Sequence, residues 1–406
     1  MLSFLAERCR GTKHSSVLSV AEVTRRTYSL ELSKNKDVQR IHMSSVNSLD
    51  LDPVDYRYLL SGGGDGVIAI YDVLTKPVVK EFTCPYLCGI GRSNESVHKR
   101  SVETVQWYPH DTGMFVSSSM DGKVKVWDTN ALIPAEEFVI NQAIYSHHIS
   151  PIATQHCLIA VGSMSSKIKL CDLKTGSSTH ILKGHKDAIL SVQWSNKEEF
   201  LLASGSRDGK ILLWDVRHAS GCLKTLDRHN GEKRESISSV KTAHNGDVSG
   251  LCFTDEGLFL LSFGTDDRLR LWDIASGKNT LVNFGSVVNE SGKSVKIACS
   301  TTSNPSAAFI PTVNDVDVYD LQNGEMVYDL KGHYHKVNCC VFHPHLQELY
   351  SGGNDSNILV WEPDLGRHPD KYEEEVEQQQ QTTTNSPRVL AGPNATADAW
   401  SSDEDD

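Results

Sequence analysis

The sequence predicts an all-β protein: a seven-bladed β-propeller with a short N-terminal helical extension and a disordered, acidic C-terminal tail. Three observations carry that expectation. An apolar alternating segment ending in an aromatic residue and an acid recurs along the chain, seven times with small variations. In five of the seven copies a histidine stands 22 or 23 residues ahead of a turn aspartate, which itself precedes the aromatic anchor by six. A spare apolar segment, "TYSLELS" (27–33), lies before the first of these histidines, where it can pair with the last copy and close a ring.

Taken in order, the copies are "VIAIYD" (67–72), "VKVWD" (124–128), "IKLCD" (168–172), "ILLWD" (211–215), "LRLWD" (269–273), "VDVYD" (316–320) and "ILVWE" (358–362). Their anchors Tyr71, Trp127, Cys171, Trp214, Trp272, Tyr319 and Trp361 are spaced by 56, 44, 43, 58, 47 and 42 residues. Repeats of roughly 40–45 residues are the period of a four-stranded propeller blade. The two longest intervals hold extra polar loops. Each anchor closes a strand entered by a tight turn such as Arg207-Asp208-Gly209, which reads as a hairpin whose Asp-Gly tolerates positive φ. The histidine–aspartate pairs are His42–Asp65, His98–Asp121, His185–Asp208, His244–Asp266 and His333–Asp355. Copy three departs, with Ser165 for the aspartate and Cys171 for the tryptophan, and copy six has Tyr319 without a clear histidine.

With these residues in place, the chain resembles the WD-repeat family. That resemblance implies a hydrogen-bonded network in each blade, formed by the histidine, the turn aspartate, a strand Ser or Thr and the tryptophan. In the fourth repeat these are His185, Asp208, Ser204 or Ser206, and Trp214. The other members are His42 and Asp65; His98, Asp121 and Trp127; His244, Asp266 and Trp272; His333, Asp355 and Trp361. The chemistry is coherent, because a buried carboxylate needs donors, which imidazole, hydroxyl and indole can supply in series. A ring must also pair its first and last edges, so residues 27–33 are expected to complete blade seven beside Trp361. The domains read as 1–26, a helix-loop-helix; 27–365, the propeller; and 366–406, the tail.

Bulk properties narrow the function. The 406 residues carry a formal charge of −12, which argues against a protein that grips nucleic acid by neutralising phosphates. Residues 371–406 hold nine acids against Lys371 and Arg388. The ten cysteines form no C-x-x-C pair and read as free thiols. "MLSFLAERCR" is broken by Glu7, Arg8 and Arg10, too early for a signal peptide, and no apolar run is long enough to span a membrane. No cofactor is expected. "GSVVNESGKS" (285–294) puts six residues between its glycines where a phosphate loop needs four, so it reads as a surface loop. "SGGGDG" (61–66) precedes a strand instead of a helix. "HYHKVNCCVFHPH" (333–345) offers His333, His335, Cys339, Cys340, His343 and His345, but adjacent strand cysteines face opposite ways, so no metal site is assigned. "HKR" (98–100) and "EKR" (232–234) read as solvated loops, and no catalytic residue is assigned.

One copy ends differently. "LASGSRDGKILLWDVR" (202–217) places Arg217 two residues after Asp215, and no other anchor is followed by arginine there. The phrase resembles the box of WD-repeat substrate receptors of cullin-4 ubiquitin ligases, its specific content being Trp214-Asp215-x-Arg217. The resemblance implies docking onto a triple-propeller damaged-DNA-binding adaptor, with Trp214, Asp215 and Arg217 at the contact. Arginine suits such an interface through its planar fork. Upstream, Leu2, Phe4, Leu5 and Cys9 can form one apolar helix side, and Val17, Leu18, Ala21 and Val23 a second after Gly11. This pair has no core of its own, so Leu2, Phe4 and Leu5 are candidate adaptor contacts.

"VETVQWYPHDTGMF" (102–115), "KVWDTN" (125–130), "YSHH" (145–148), "DVRHASGCL" (215–223), "TAHNG" (242–246) and "DAWSSDEDD" (398–406) resemble the Cockayne syndrome group A family of WD-repeat proteins. That implies a non-catalytic substrate receptor in transcription-coupled nucleotide excision repair, located in the nucleus. The implied partners are the adaptor, cullin-4 and its RING subunit, the Cockayne syndrome group B ATPase and stalled RNA polymerase II. Substrates would take the face around His98, Asp121, His185 and Asp208. Two alternatives share the blades: a generic WD scaffold outside ubiquitination, which needs no Arg217, and a direct damaged-DNA reader, which needs a basic face and an apolar wedge. In the tail, "EEEVEQQQQTTTNS" (373–386) cannot collapse, and Ser401 and Ser402 before a run of acids are candidate phosphorylation sites.

Overall fold

The computed structural model describes residues 9–11, 14–74, 82–218, 221–231 and 241–364. Leu2, Phe4, Leu5, Ser401, Ser402 and the tail 366–406 lie outside them. The described strands build seven four-stranded antiparallel sheets, the blades of a seven-bladed β-propeller. Blade 4 shows the plan: Ile189–Trp194, Leu201–Ser206, Ile211–Asp215 and Cys222–Thr225 pair in that order from the ring axis outward. The two middle strands of a blade are apolar on both faces because neighbouring blades cover both. Thus Ala160 and Ile168 of blade 3 pack with Leu202, Leu212 and Trp214 of blade 4 in one buried cluster. In the turn between the middle strands, Gly209 has φ +71°, and a Cβ there would collide with the carbonyl of His244 in the next blade.

Blade 7 takes its fourth strand from the N-terminal side. Strand β1 (Leu30–Leu32) runs antiparallel to Ile358–Pro363, with Leu32 opposite Trp361. Leu30 is buried among Phe309, Leu349 and Trp361. The pairing covers less than 27–33, because Thr27 ends a helix, α1 (Ser15–Thr27), and Tyr28 and Ser29 turn the chain between them. Helix α1 starts at His14, whose ring accepts the Ser16 N–H, and ends with Arg25 and Arg26 near its free carbonyls. Its base is tied to blade 6. The Asn304 N–H donates to Thr24 Oγ1 at 2.9 Å, the Tyr28 hydroxyl to the Pro305 carbonyl at 3.3 Å, and the Tyr328 hydroxyl to the Thr27 carbonyl at 3.0 Å. Leu18 is buried, while Val17, Val20 and Ala21 are exposed along one side.

Residues 285–294 are not simply a surface loop. Val287, Asn289, Ser291 and Val295 are buried, and the segment runs to the ring axis. There Lys293 Nζ pairs with Glu103 of blade 2 at 2.9 Å and Lys296 Nζ with Asp50 of blade 1 at 2.7 Å. Its backbone stays between blades 5 and 7, where the Val295 N–H donates to the Ser249 carbonyl and the Lys296 N–H to the Asn338 carbonyl, and only the lysine side chains reach across the axis. Between its lysines and the inner strands lies a polar axial cavity of about 210 Å³, lined by Asp50, Glu103, His147, His148, Gln193 and Lys296 among others.

Candidate docking site

The five blade networks order the molecule into two faces. In blade 4, the Trp214 indole N–H donates to Ser204 Oγ at 2.8 Å, and Ser204 lies 2.7 Å from His185 Nε2. His185 Nδ1 is 3.2 Å from Asp208, which also accepts the N–H of Lys186. This settles the serine: Ser206 instead donates to the Asp187 carbonyl. The same series links Trp127, Ser117, His98 and Asp121; Trp272, Ser262, His244 and Asp266; and Trp361, Ser351, His333 and Asp355. Blade 1 runs His42 to Ser61 and Asp65, but the Tyr71 hydroxyl standing for the indole has no partner. Blade 5 adds Arg270, which reaches Asp266 at 3.0 Å. In blade 3, Ser165 Oγ takes over one carboxylate duty by accepting the Lys167 N–H.

Burial alone would raise these carboxyls, yet each is held below its ordinary value. At Asp208 the bond and charge of His185 and the N–H groups of Lys186 and Lys210 outweigh burial. Asp65, helped by His42 and the Met43 N–H, is brought to about 2. His147 moves the same way for another reason: its burial disfavours the cation and lowers it to about 3, with no partner on Nε2. Both kinds of group bind protons more weakly folded than unfolded, so both stabilise above the unfolded pKa and lose that contribution as pH falls. Thermal stability is therefore expected to decline from about pH 6.5 as His147 begins to resist protonation, and more steeply below about pH 4 as the aspartates follow. Melting temperatures between pH 8 and 3 check this. His147→Gln should flatten the upper limb in part, since burial also lowers His148 to about 3 and His343 to about 4, and should leave the limb set by the aspartates.

Arg217 sits at the far end of the strand that starts beside Asp208, hence on the opposite face. Its Nε and Nη2 donate to the two Asp215 oxygens at 3.0 and 2.7 Å, and its own N–H adds a third bond at 3.0 Å. The guanidinium lies 4.8 Å from the Phe200 ring centre, a cation–π distance. The Arg217 bonds bring Asp215 to a pKa of about 2, so the clamp is charged at any physiological pH. Even so, 60% of the Arg217 side chain is exposed. It borders a cavity of about 280 Å³ lined by Glu198, Glu199, Phe200, Leu201, Asp215 and Leu223. Trp214 and Asp215 take different parts from Arg217: Trp214 is 1% exposed and faces the core, and Asp215 is buried beneath the arginine it holds. Only Arg217 of the three presents itself outward. The loop 301–306 that holds α1 corresponds to 195–200 of blade 4, which carries Glu198 and Phe200. The base of α1 and Arg217 therefore belong to one face.

Sequence reading missed Phe200 and Leu223, which lie outside the sixteen-residue phrase. It also missed a counterpart in blade 1, where Arg57 donates to Asp72 at 2.7 Å and lies over Tyr58 at 5.3 Å. Arg57 comes from the preceding hairpin, at the position Phe200 holds in blade 4, so a comparison of the residues just after each anchor passes over it. Of the histidine and cysteine run at 333–345, His333 serves its blade, His343 Nε2 lies 2.9 Å from the Tyr56 carbonyl, and Cys339 and Cys340 pack in different clusters. Among the described residues no group of three or more such side chains is placed to hold a metal ion.

The family model for the WD domain, G-beta repeat, matches residues 34–72, 93–128, 176–215, 234–273 and 324–362, leaving the first three strands of blade 3 and of blade 6 unmatched. The chain is 34% identical over 433 aligned residues to the WD repeat-containing protein ATCSA-1 of Arabidopsis thaliana, covering 89% of this chain and 95% of that protein. It is 25% identical to the guanine nucleotide-binding protein subunit beta of Arabidopsis thaliana, over 79% of this chain and 81% of that one. It is 28% identical to radiation-sensitive protein 28 of Saccharomyces cerevisiae, over 44% of this chain and 38% of that one.

Proposed function

This chain belongs to the WD-repeat family, in the Cockayne syndrome group A branch that ATCSA-1 represents, and on that premise we propose that it is a non-catalytic substrate receptor of a cullin-4 RING ubiquitin ligase. It docks on the triple-propeller damaged-DNA-binding adaptor through the face that carries Arg217 and the base of α1, together with the N-terminal residues before that helix. It works in the nucleus, in transcription-coupled nucleotide excision repair, where the group B ATPase and stalled RNA polymerase II are its partners.

The observation that carries this reading is the fixed arginine. Arg217 is exposed, yet its orientation is set by Asp215 and Phe200, so little side-chain entropy remains to be lost on binding. The neighbouring Glu198, Glu199 and Asp215 make the pocket acidic as a whole. A carbonyl flanked by apolar or basic groups suits it better than a carboxylate. The chain itself contributes no reacting group to ubiquitin transfer. It raises the effective concentration of a substrate lysine near the ubiquitin carried by the ligase. Reconstituted with the adaptor, cullin-4 and the RING subunit, wild-type chain should promote ubiquitin transfer to the group B ATPase, and Arg217→Glu should cut that rate at least tenfold. Equal rates would overturn the proposal.

A further inference from the structure

The face opposite Arg217 carries an unusual pair. Met43 and Tyr334 are 82% and 83% exposed, the two most exposed large apolar side chains among the described residues. Each directly follows a network histidine. The Met43 N–H donates to Asp65 at 3.0 Å and the Tyr334 N–H to Asp355 at 3.4 Å, so the buried network fixes the backbone while the side chain projects into solvent. Their blades, 1 and 7, are neighbours in the ring: Asn338 Nδ2 donates to the Val46 carbonyl at 2.9 Å. On the other side of blade 1, the Asp65–Gly66 turn abuts the carbonyls of His98 and Arg100. There Lys99 is held in the same way, its N–H donating to Asp121 at 3.2 Å, and both Lys99 and Arg100 are exposed.

Charge along this arc is uneven: at its blade 7 end Asp315 lies near His333 and Glu290 near Lys336, whereas its blade 2 end presents the cations Lys99 and Arg100. The carboxylates beneath it, Asp65, Asp121 and Asp355, are buried and engaged by histidines, which leaves Lys99 and Arg100 facing solvent beside the two apolar groups. A side chain held out by a rigid backbone loses little conformational freedom on being covered. We propose that the arc over blades 7, 1 and 2 docks an acidic peptide segment of a substrate protein, whose apolar anchor packs between Met43 and Tyr334 and whose carboxylates pair with Lys99 and Arg100. This rests on reading that face as the substrate side.

The test uses the full chain and an array of synthetic dodecapeptides rich in Asp and Glu, each with one central Trp, Phe, Leu or Met. Lysine-rich versions and a single-stranded oligothymidylate are run beside them. Acidic peptides with an apolar centre should be retained. Their affinity should fall at least tenfold in Met43→Ser/Tyr334→Ser and in Lys99→Glu/Arg100→Glu, variants whose melting temperatures stay near wild type because all four side chains are exposed. Arg217→Glu should leave it unchanged. Failure of every acidic peptide, retention indifferent to both double variants, or stronger retention of the lysine-rich peptides or the oligonucleotide would each overturn the inference. Because adaptor binding is read separately, loss of the docking function and loss of this surface give different results.

Discussion

Replacing Trp214 with alanine is expected to lower the unfolding free energy by about 3–5 kcal/mol, whereas Cys171→Ala, at the same position of blade 3, should cost only about 1 kcal/mol. Trp214 fills the space between blades 3 and 4, and its N–H begins the series that ends on Asp208. Its removal leaves a cavity and also frees Ser204 from its donor. Cys171 is equally buried, but blade 3 has no histidine–aspartate pair for it to support, so only its small volume is lost. Calorimetry should show the midpoint falling by roughly 10 °C for Trp214→Ala and by a small fraction of that for Cys171→Ala. Similar falls for the two would mean that the blades draw on packing alone.

Charge reversal at Arg217 should act chiefly on binding, lowering stability by about 1–2 kcal/mol and weakening the adaptor complex by two to three orders of magnitude, about 3–4 kcal/mol. The side chain is mostly exposed, but the buried Asp215 carboxylate loses its donors and gains a negative neighbour, so the fold is weakened without being lost. The interface would lose the fork and also meet a fourth carboxylate beside Asp215, Glu198 and Glu199. Phe200→Ala, which removes the ring under the guanidinium but keeps the charge, should cost about 1 kcal/mol of affinity. Surface plasmon resonance with the purified adaptor separates these two steps.

Much of the ring is legible in the sequence because each blade writes its own spacing. A histidine 22 or 23 residues from an aspartate, and an aspartate six from a tryptophan, are distances set by two adjacent strands, local enough to survive in one repeat. What the spacing leaves out is whatever crosses between repeats. The bonds of Lys293 to Glu103 and of Lys296 to Asp50 join residues 190 and 246 positions apart, and no pattern within 285–294 announces them. Arg57 hides for a related reason, because it reaches Asp72 from the neighbouring strand. The ends of β1 and α1 depend on a two-residue turn at Tyr28 and Ser29, where the helical and extended patterns overlap. Trp214 shows the limit of carrying a motif over whole: within one phrase the tryptophan serves the core and the arginine lies at the surface.

The proposed receptor role rests on adaptor docking through Arg217 and the N-terminal segment. The most direct measurement is the affinity of the purified chain for the triple-propeller adaptor, compared with Arg217→Glu and with deletion of residues 1–21, each confirmed folded by circular dichroism. Tight binding by the wild type is expected, with at least 30-fold weaker binding by each variant, an unchanged spectrum for Arg217→Glu and an unchanged β-sheet signal for the deletion, which removes part of α1. Binding that ignores both changes would place the adaptor elsewhere on the ring and contradict the docking role of Arg217.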